Sequence, residues 1–193
     1  RSEINMLLVF LEEMWSRNFG HLFVSPLRPH EFVLSIIIAS VLRTVVGTGI
    51  ALLVATLLFP GNLLPFSLPL AIMVFLLFMM GWSVGLLLIA LIFRLGMGGE
   101  WLVWMAAFAV MPLTCVFYPV SVLPALLQPV ALLIPATHVF EGMRAILGGN
   151  SLPVEHILAA FGLNLLLLLL SSQVLMRALR YARTNAVFVQ QGE

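Results

Sequence analysis

Two adjacent glutamates, Glu12 and Glu13, with Arg17 four residues beyond Glu13, are the residues of this chain whose types and spacing come nearest to catalysis. Paired carboxylates can activate a water held on a metal ion. That chemistry also needs histidine ligands on neighbouring helices. The histidines of the chain are His21, His30, His138 and His156. The plainer reading is an exposed acidic face with an ion pair from Glu13 to Arg17. A third reading uses the other side of the same helix, where Phe10, Leu11, Met14 and Trp15 form an apolar stripe that can dock on a partner.

A second polar group is His138, Glu141 and Arg144, spaced by three so that all share one helical face. Glu141 and Arg144 can pair across one turn. One histidine with one glutamate leaves too few ligands for a metal, so no metal and no catalytic residue is assigned. Arg43 stands alone in an apolar run. It either lines a translocation path or pairs across an interface, or it snorkels to the headgroups if the span starts later. Gly96, Gly98 and Gly99 suggest a phosphate loop, but no strand precedes them and the chain has no lysine. A Walker-type ATP site needs that lysine, so the glycines read as a helix hairpin turn. The single cysteine, Cys115, excludes an intramolecular disulfide.

The elements that must position these groups are those of a membrane. Hydrophobic residues make up 62% of the chain and charged residues 9%, against about 25% charged in soluble domains. A span takes about 20 mostly apolar residues. Four stretches qualify: Phe32 to Phe59, Leu68 to Phe93, Trp101 to Phe117, and Ile157 to Met176. The fold class is therefore all-α, a polytopic membrane protein with four spans in one domain. Residues 1–31 form an amphipathic segment ahead of three spans in 32–117, and a tail occupies 177–193. Gly81 and Gly85 allow one close helix approach, and Ala39, Gly47, Ala51 and Ala55 form a looser small-residue stripe for packing within the subunit. Between the third and fourth spans, Pro119, Pro124, Pro129 and Pro135 break an apolar stretch too often for one helix. Such backbone enters a membrane only where protein or water covers it, so 118–147 reads as two short helices in a re-entrant hairpin, meeting near Leu132–Pro135. With residues 1–31 inside, Arg17, Arg28, Arg94, Arg177, Arg180 and Arg183 are cytoplasmic and only Arg144 is external. That agrees with the positive-inside rule and places the C-terminus in the cytoplasm.

These residues carry a resemblance. Tyr118-Pro119-Val120, Leu123-Pro124, Pro135-Ala136-Thr137-His138 and Glu141-Gly142-Met143-Arg144 resemble the external gate of ABC-2-type permeases, the membrane halves of exporters of nodulation factors, polysaccharides, lipids and drugs. Phe10-Leu11-Glu12-Glu13 followed by Leu22-Phe23-Val24-Ser25-Pro26-Leu27 resembles that family's cytoplasmic coupling segment. The likeness covers nearly the whole chain. It implies an ATPase-coupling surface of Glu12, Glu13, Met14, Arg17, Leu22, Ser25 and Pro26. It also implies an external gate of Tyr118, Pro119, Leu123, Pro124, Pro135, His138, Glu141 and Arg144, with Arg43 on the candidate path. The implied assembly is two permease copies and two ABC ATPase subunits in the inner membrane. Mg-ATP would sit on the ATPase chains, lipid around the permease, and no nucleic acid is involved. Family members usually have six spans, two of them before the coupling segment; the chain opens on Arg1-Ser2-Glu3 and reads as lacking those two. Two rival readings remain. Glu12, Glu13 and Arg17 also resemble the opening motif of membrane-embedded prenyl-protein-type proteases, whose histidine spacings, Phe-x-x-x-His and His-x-x-x-Asn, do not occur around His21, His30, His138 or His156, and a secondary transporter would place ionisable groups near mid-membrane.

Overall fold

The computed structural model describes residues 6–8, 10–12, 29–58, 68–95, 100–148 and 153–185. Among them the regular structure is helical, without strands. Residues 6–8 and 10–12 are helical, and six α-helices follow. Helix α1, Pro29–Leu58, places proline at its first position, where a missing N–H is not needed. Glu31 sits in its first turn, complementing the positive helix end. Helix α2 is Leu68–Leu95, with Arg94 in its last turn. Helix α3 is the short Glu100–Val110. Helices α4, Gln128–Leu132, and α5, Pro135–Leu147, follow a stretch of turns. Helix α6 is Val154–Asn185, with Glu155 in its first turn.

Three helices are long and apolar enough to cross a membrane, over Val33–Ala51, Ala71–Leu95 and Val154–Ala182. They correspond to the first, second and fourth expected spans. The expected third, Trp101 to Phe117, is different. Its α-helix stops at Val110 and continues as a 3-10 turn over Met111–Thr114, with Pro112 in its first turn. Proline lacks an N–H and its ring clashes with the carbonyl four residues back, so Pro112 ends the α-helix. The chain then leaves through Cys115 at φ 55°, in the left-handed region. The last helix also departs from expectation. It runs nine residues beyond Met176, and Leu175, Ala178, Leu179 and Ala182 are buried. Part of the expected tail is therefore core.

The described chain divides into two compact units. The first comprises residues 1–45, 81–107 and 168–193. Its core gathers Met6, Leu7, Phe10 and Leu11 with Val33 and Ile36 of α1, Leu86, Ile89, Ile92 and Phe93 of α2, and Leu175 and Leu179 of α6. Phe10 meets Phe93 edge to face, centroids 5.1 Å apart, a favoured aromatic geometry. Gly85 makes this approach possible: a Cβ there would lie 2.8 Å from Met6 Sδ and 2.9 Å from Met6 Cβ. The looser stripe behaves otherwise. A Cβ on Gly47 would meet nothing within 4 Å, and the buried side of α1 here is Val33, Ile36, Ser40 and Thr44.

The second unit comprises residues 46–80 and 108–167. Its buried residues include Met73, Leu76, Ala131, Ala136, Val139 and Ala160. Here too a glycine marks close packing, since a Cβ on Gly142 would lie 2.4 Å from Met73 Cε and 3.4 Å from His156 Cβ. Asn164 of α6 is fully buried and its Nδ2 donates to the Leu76 carbonyl at 2.9 Å. A polar bond between two apolar helices of this kind ties them in register.

Candidate functional site: a strapped loop and a paired arginine

The second unit holds residues 111–147 as turns and short helices. Pro119, in extended conformation, leads into a 3-10 turn at Val120–Val122. Pro124 opens the next turn, its carbonyl accepting from Leu127 N at 2.8 Å. Helices α4 and α5 are separated only by Leu133 and Ile134, and Ile134 is extended, as a residue before proline prefers. Pro135 then takes the first position of α5.

A turn-rich segment of this kind exposes carbonyls and N–H groups that no helix satisfies, and each costs free energy if left unpaired away from water. Two charged side chains of α5 take them up. Arg144 Nη2 donates to the carbonyls of Cys115, of Val116 at 3.3 Å and of Tyr118 at 2.9 Å. Glu141 Oε1 accepts from Val120 N at 2.9 Å. The same oxygen lies 3.1 Å from Arg144 Nη1, the two side chains being 24% and 32% exposed. That contact is an ion pair without hydrogen-bond alignment. The fork of a guanidinium suits this work, because it presents several donors in a fixed plane.

Further bonds tighten the same loop. Tyr118 Oη donates to the Pro112 carbonyl. Thr137 Oγ1 donates to Leu113 O at 3.3 Å, and Gln128 Nε2 to Leu123 O at 2.9 Å. His138 Nε2 lies 2.8 Å from Leu132 O. A carbonyl only accepts, which places the ring proton on Nε2. The His138 ring is 5.9 Å from that of His156, whose Nδ1 is buried without a partner.

All eight residues of the expected gate thus fall in one unit. Tyr118, Leu123, Pro124, His138, Glu141 and Arg144 join its bond network, and Pro119 and Pro135 set its backbone. The expected pair Glu141–Arg144 forms. Sequence reasoning did not find its real occupation, which is backbone: three carbonyls and one N–H. It also passed over Gln128 and Asn164, and gave Thr137 no role beyond its place in the gate motif. The signal for Thr137 and Gln128 was present in principle, since a polar residue amid prolines and turns is a standing candidate for capping backbone groups.

In the first unit, Glu12 is described, and Glu13, Met14, Arg17, Leu22, Ser25 and Pro26 lie outside the described residues, as does the expected Glu13–Arg17 pair. Glu12 is not idle. Its Oε1 accepts from Arg43 Nη2 at 2.8 Å, the side chains being 53% and 41% exposed. Arg43 therefore has a partner within its own chain, 31 residues away, where the sequence suggested a path, an interface or the headgroups. No group of three or more His, Cys, Asp or Glu able to hold a metal is present among the described residues.

A family model described as ABC-2 type transporter matches residues 4–147. The match runs from the N-terminal helical residues through the end of α5, and so includes both the Glu12–Arg43 pair and the strapped loop. No curated protein matches the chain, and no solved structure does.

Proposed function

Because the chain belongs to the ABC-2 type transporter family, and is with that a multi-pass transport permease that works with an ABC ATPase, we propose that it is the membrane subunit of an exporter. The family match over 4–147 carries this reading. In it, two permease copies join two ATPase subunits in the inner membrane, and ATP is hydrolysed only on the ATPases. The segment around Glu12 and Glu13 receives their closure from the cytoplasmic side, where the C-terminus also lies. Residues 118–147 form the outer gate, a re-entrant hairpin covered by protein at the membrane edge. The cargo is amphipathic: a lipid-linked chain, a polysaccharide or a drug-like molecule.

The gate role is supported by how the loop is held. Its hinges are prolines and its straps are side chains, so it can change state by exchanging a few polar contacts while helices stay intact. In this reading the Glu141–Arg144 pair and its backbone partners are the contacts that exchange when the gate opens. The proposal is tested by copurification with the ATPase, then reconstitution into vesicles with fluorescent lipid-linked and amphipathic cargo. ATP-dependent loss of cargo from the side of the ATPase is expected. A preparation that carries cargo without any ATPase, driven by an ion gradient, would sink it.

A further inference from the structure

We infer that the face of α1 carrying Ser40, Arg43 and Thr44 is a binding site for an oxyanion head group, phosphate above all, and that Glu12 occupies it as a stand-in from the same chain. On the exporter reading above, on which this rests, the cargo is an amphiphile that carries such a group.

Ser40, Arg43 and Thr44 stand three and four residues apart, which places them on one side of α1. All three belong to the first unit, as does Glu12. In the two preceding turns the same side is apolar, at Val33 and Ile36. Ser40 is fully buried and Thr44 is 4% exposed, yet neither hydroxyl has a hydrogen-bond partner. Serines in a helix commonly bond back to a carbonyl of the preceding turn. In α6 they do so: Ser171 Oγ donates to Leu168 O at 3.0 Å, and Ser172 Oγ to the same oxygen at 2.7 Å. Alanine and valine would fill the places of Ser40 and Thr44 without leaving two donors over. A buried hydroxyl without a partner is costly, so two of them beside an arginine point to an acceptor that arrives from outside the chain.

Arg43 supplies the charge. It is the one charged residue in the apolar window Val33–Ala51. Its described contact is a single bond, Nη2 to Glu12 Oε1 at 2.8 Å, which uses one of the five guanidinium N–H donors. The two side chains are 41% and 53% exposed, and ion pairs so open to solvent hold weakly. A phosphate ester therefore competes with Glu12 on favourable terms. It can bond the guanidinium fork through two oxygens and keep a third for a hydroxyl of Ser40 or Thr44, which Glu12 leaves unbonded. Arg43 repels a cationic amphiphile, and a neutral one offers nothing in return for breaking the pair.

The test uses the permease–ATPase complex in neutral detergent and a fluorescently labelled decyl phosphate as probe. Decanol and decyltrimethylammonium with the same label serve as comparisons. Binding is read by fluorescence anisotropy, and assembly of each variant by gel filtration. The phosphate should bind at least about tenfold more tightly than either comparison, the scale of a charge-assisted bond. Arg43→Gln should abolish that preference. Ser40→Ala with Thr44→Val should weaken phosphate binding about fivefold and leave the alcohol unaffected. Glu12→Gln should strengthen phosphate binding about twofold to fivefold, because the competing carboxylate is gone. That opposite sign separates a site from a structural pair, whose two partners would fail alike. Equal binding of the three probes overturns the inference, as does an assembled Glu12→Gln complex that binds the phosphate no better than its parent. Displacement of the probe by inorganic phosphate or by phosphatidylglycerol at the probe's own potency also overturns it, since the ligand is then a free anion or the bulk lipid. Vesicles separate the site from the exporter reading. ATP-driven movement of all three probes alike keeps the exporter and overturns the acidic cargo. Selective binding of the phosphate without ATP-driven movement keeps the site and removes the exporter.

Discussion

Both units of the chain bury apolar side chains, but the described contacts of the second tie far more side chains to loop backbone. In residues 1–45, 81–107 and 168–193, side chains bury side chains: Phe10 against Phe93, Met6 against Gly85, Leu175 and Leu179 within the same core. In residues 46–80 and 108–167, side chains bond backbone: Arg144 to three carbonyls, Glu141 to an N–H, Gln128, Thr137 and Tyr118 to one carbonyl each. The difference follows from secondary structure. A long helix satisfies its own peptide groups and needs only a filled surface. A segment broken by prolines leaves peptide groups over, and the residues that cap them become its framework. Lost volume should therefore tell most at the Phe10 contact, and lost donors at the loop around Arg144.

The comparison is broken hardest by truncating one anchor in each unit. Phe10→Ala should cost about 3–5 kcal/mol, the usual range for an aromatic removed from a filled core. It should appear as a lowered midpoint of thermal unfolding in detergent. Arg144→Ala should cost about 2–4 kcal/mol, since charged hydrogen bonds are worth about 1.5–3 kcal/mol and orphaned partners add to the loss. Its damage should be local, with faster hydrogen exchange confined to the segment around 115–120. Arg144→Lys should recover little of it, because a point charge cannot reproduce the fork. Faster exchange spread evenly over α1 and α2 would show that Arg144 supports the whole fold and not one loop.

A matched pair of glycine changes sharpens the contrast. Gly85→Ala drives a Cβ against Met6 Cβ at 2.9 Å, an atom that cannot move without its backbone, and should cost about 1–3 kcal/mol by overpacking. Gly142→Ala meets the far end of Met73 at 2.4 Å, a flexible thioether that can turn aside, and should cost less. Unfolding midpoints of the two variants decide it; equal losses would mean that both sites are equally rigid. Smallest of all should be Asn164→Leu. It removes the bond to Leu76 O, but it also removes a buried Oδ1 that has no partner. Membrane hydrogen bonds average about 0.6 kcal/mol, so the midpoint should hardly move. A loss several times that size would make Asn164 a principal strut of the second unit.

What the sequence disclosed follows the same division. Length and hydropathy suffice for helices that bury apolar faces, so α1, α2 and α6 were legible, and four prolines within 118–147 announced broken backbone. Pro112 is equally visible, but it sits in an apolar run whose composition outweighs it, so the sequence there reads as a full span. The face of His138, Glu141 and Arg144 was legible from spacing. Their partners were not, because a peptide carbonyl has no letter in a sequence. Glu12 and Arg43 lie 31 residues apart, and only the cost of an unpaired arginine hinted that a glutamate must answer it.

The left-handed turn at Cys115 sets a rule for substitution at that position. At φ 55°, a side chain with a Cβ is crowded by about 1–2 kcal/mol, a cost glycine escapes and asparagine and aspartate can offset by local bonding. A β-branched residue fits worst. In a saturation library selected for intact transport, glycine and asparagine should survive at 115 and valine and isoleucine should vanish, although by volume and polarity valine is the nearer replacement for a buried thiol.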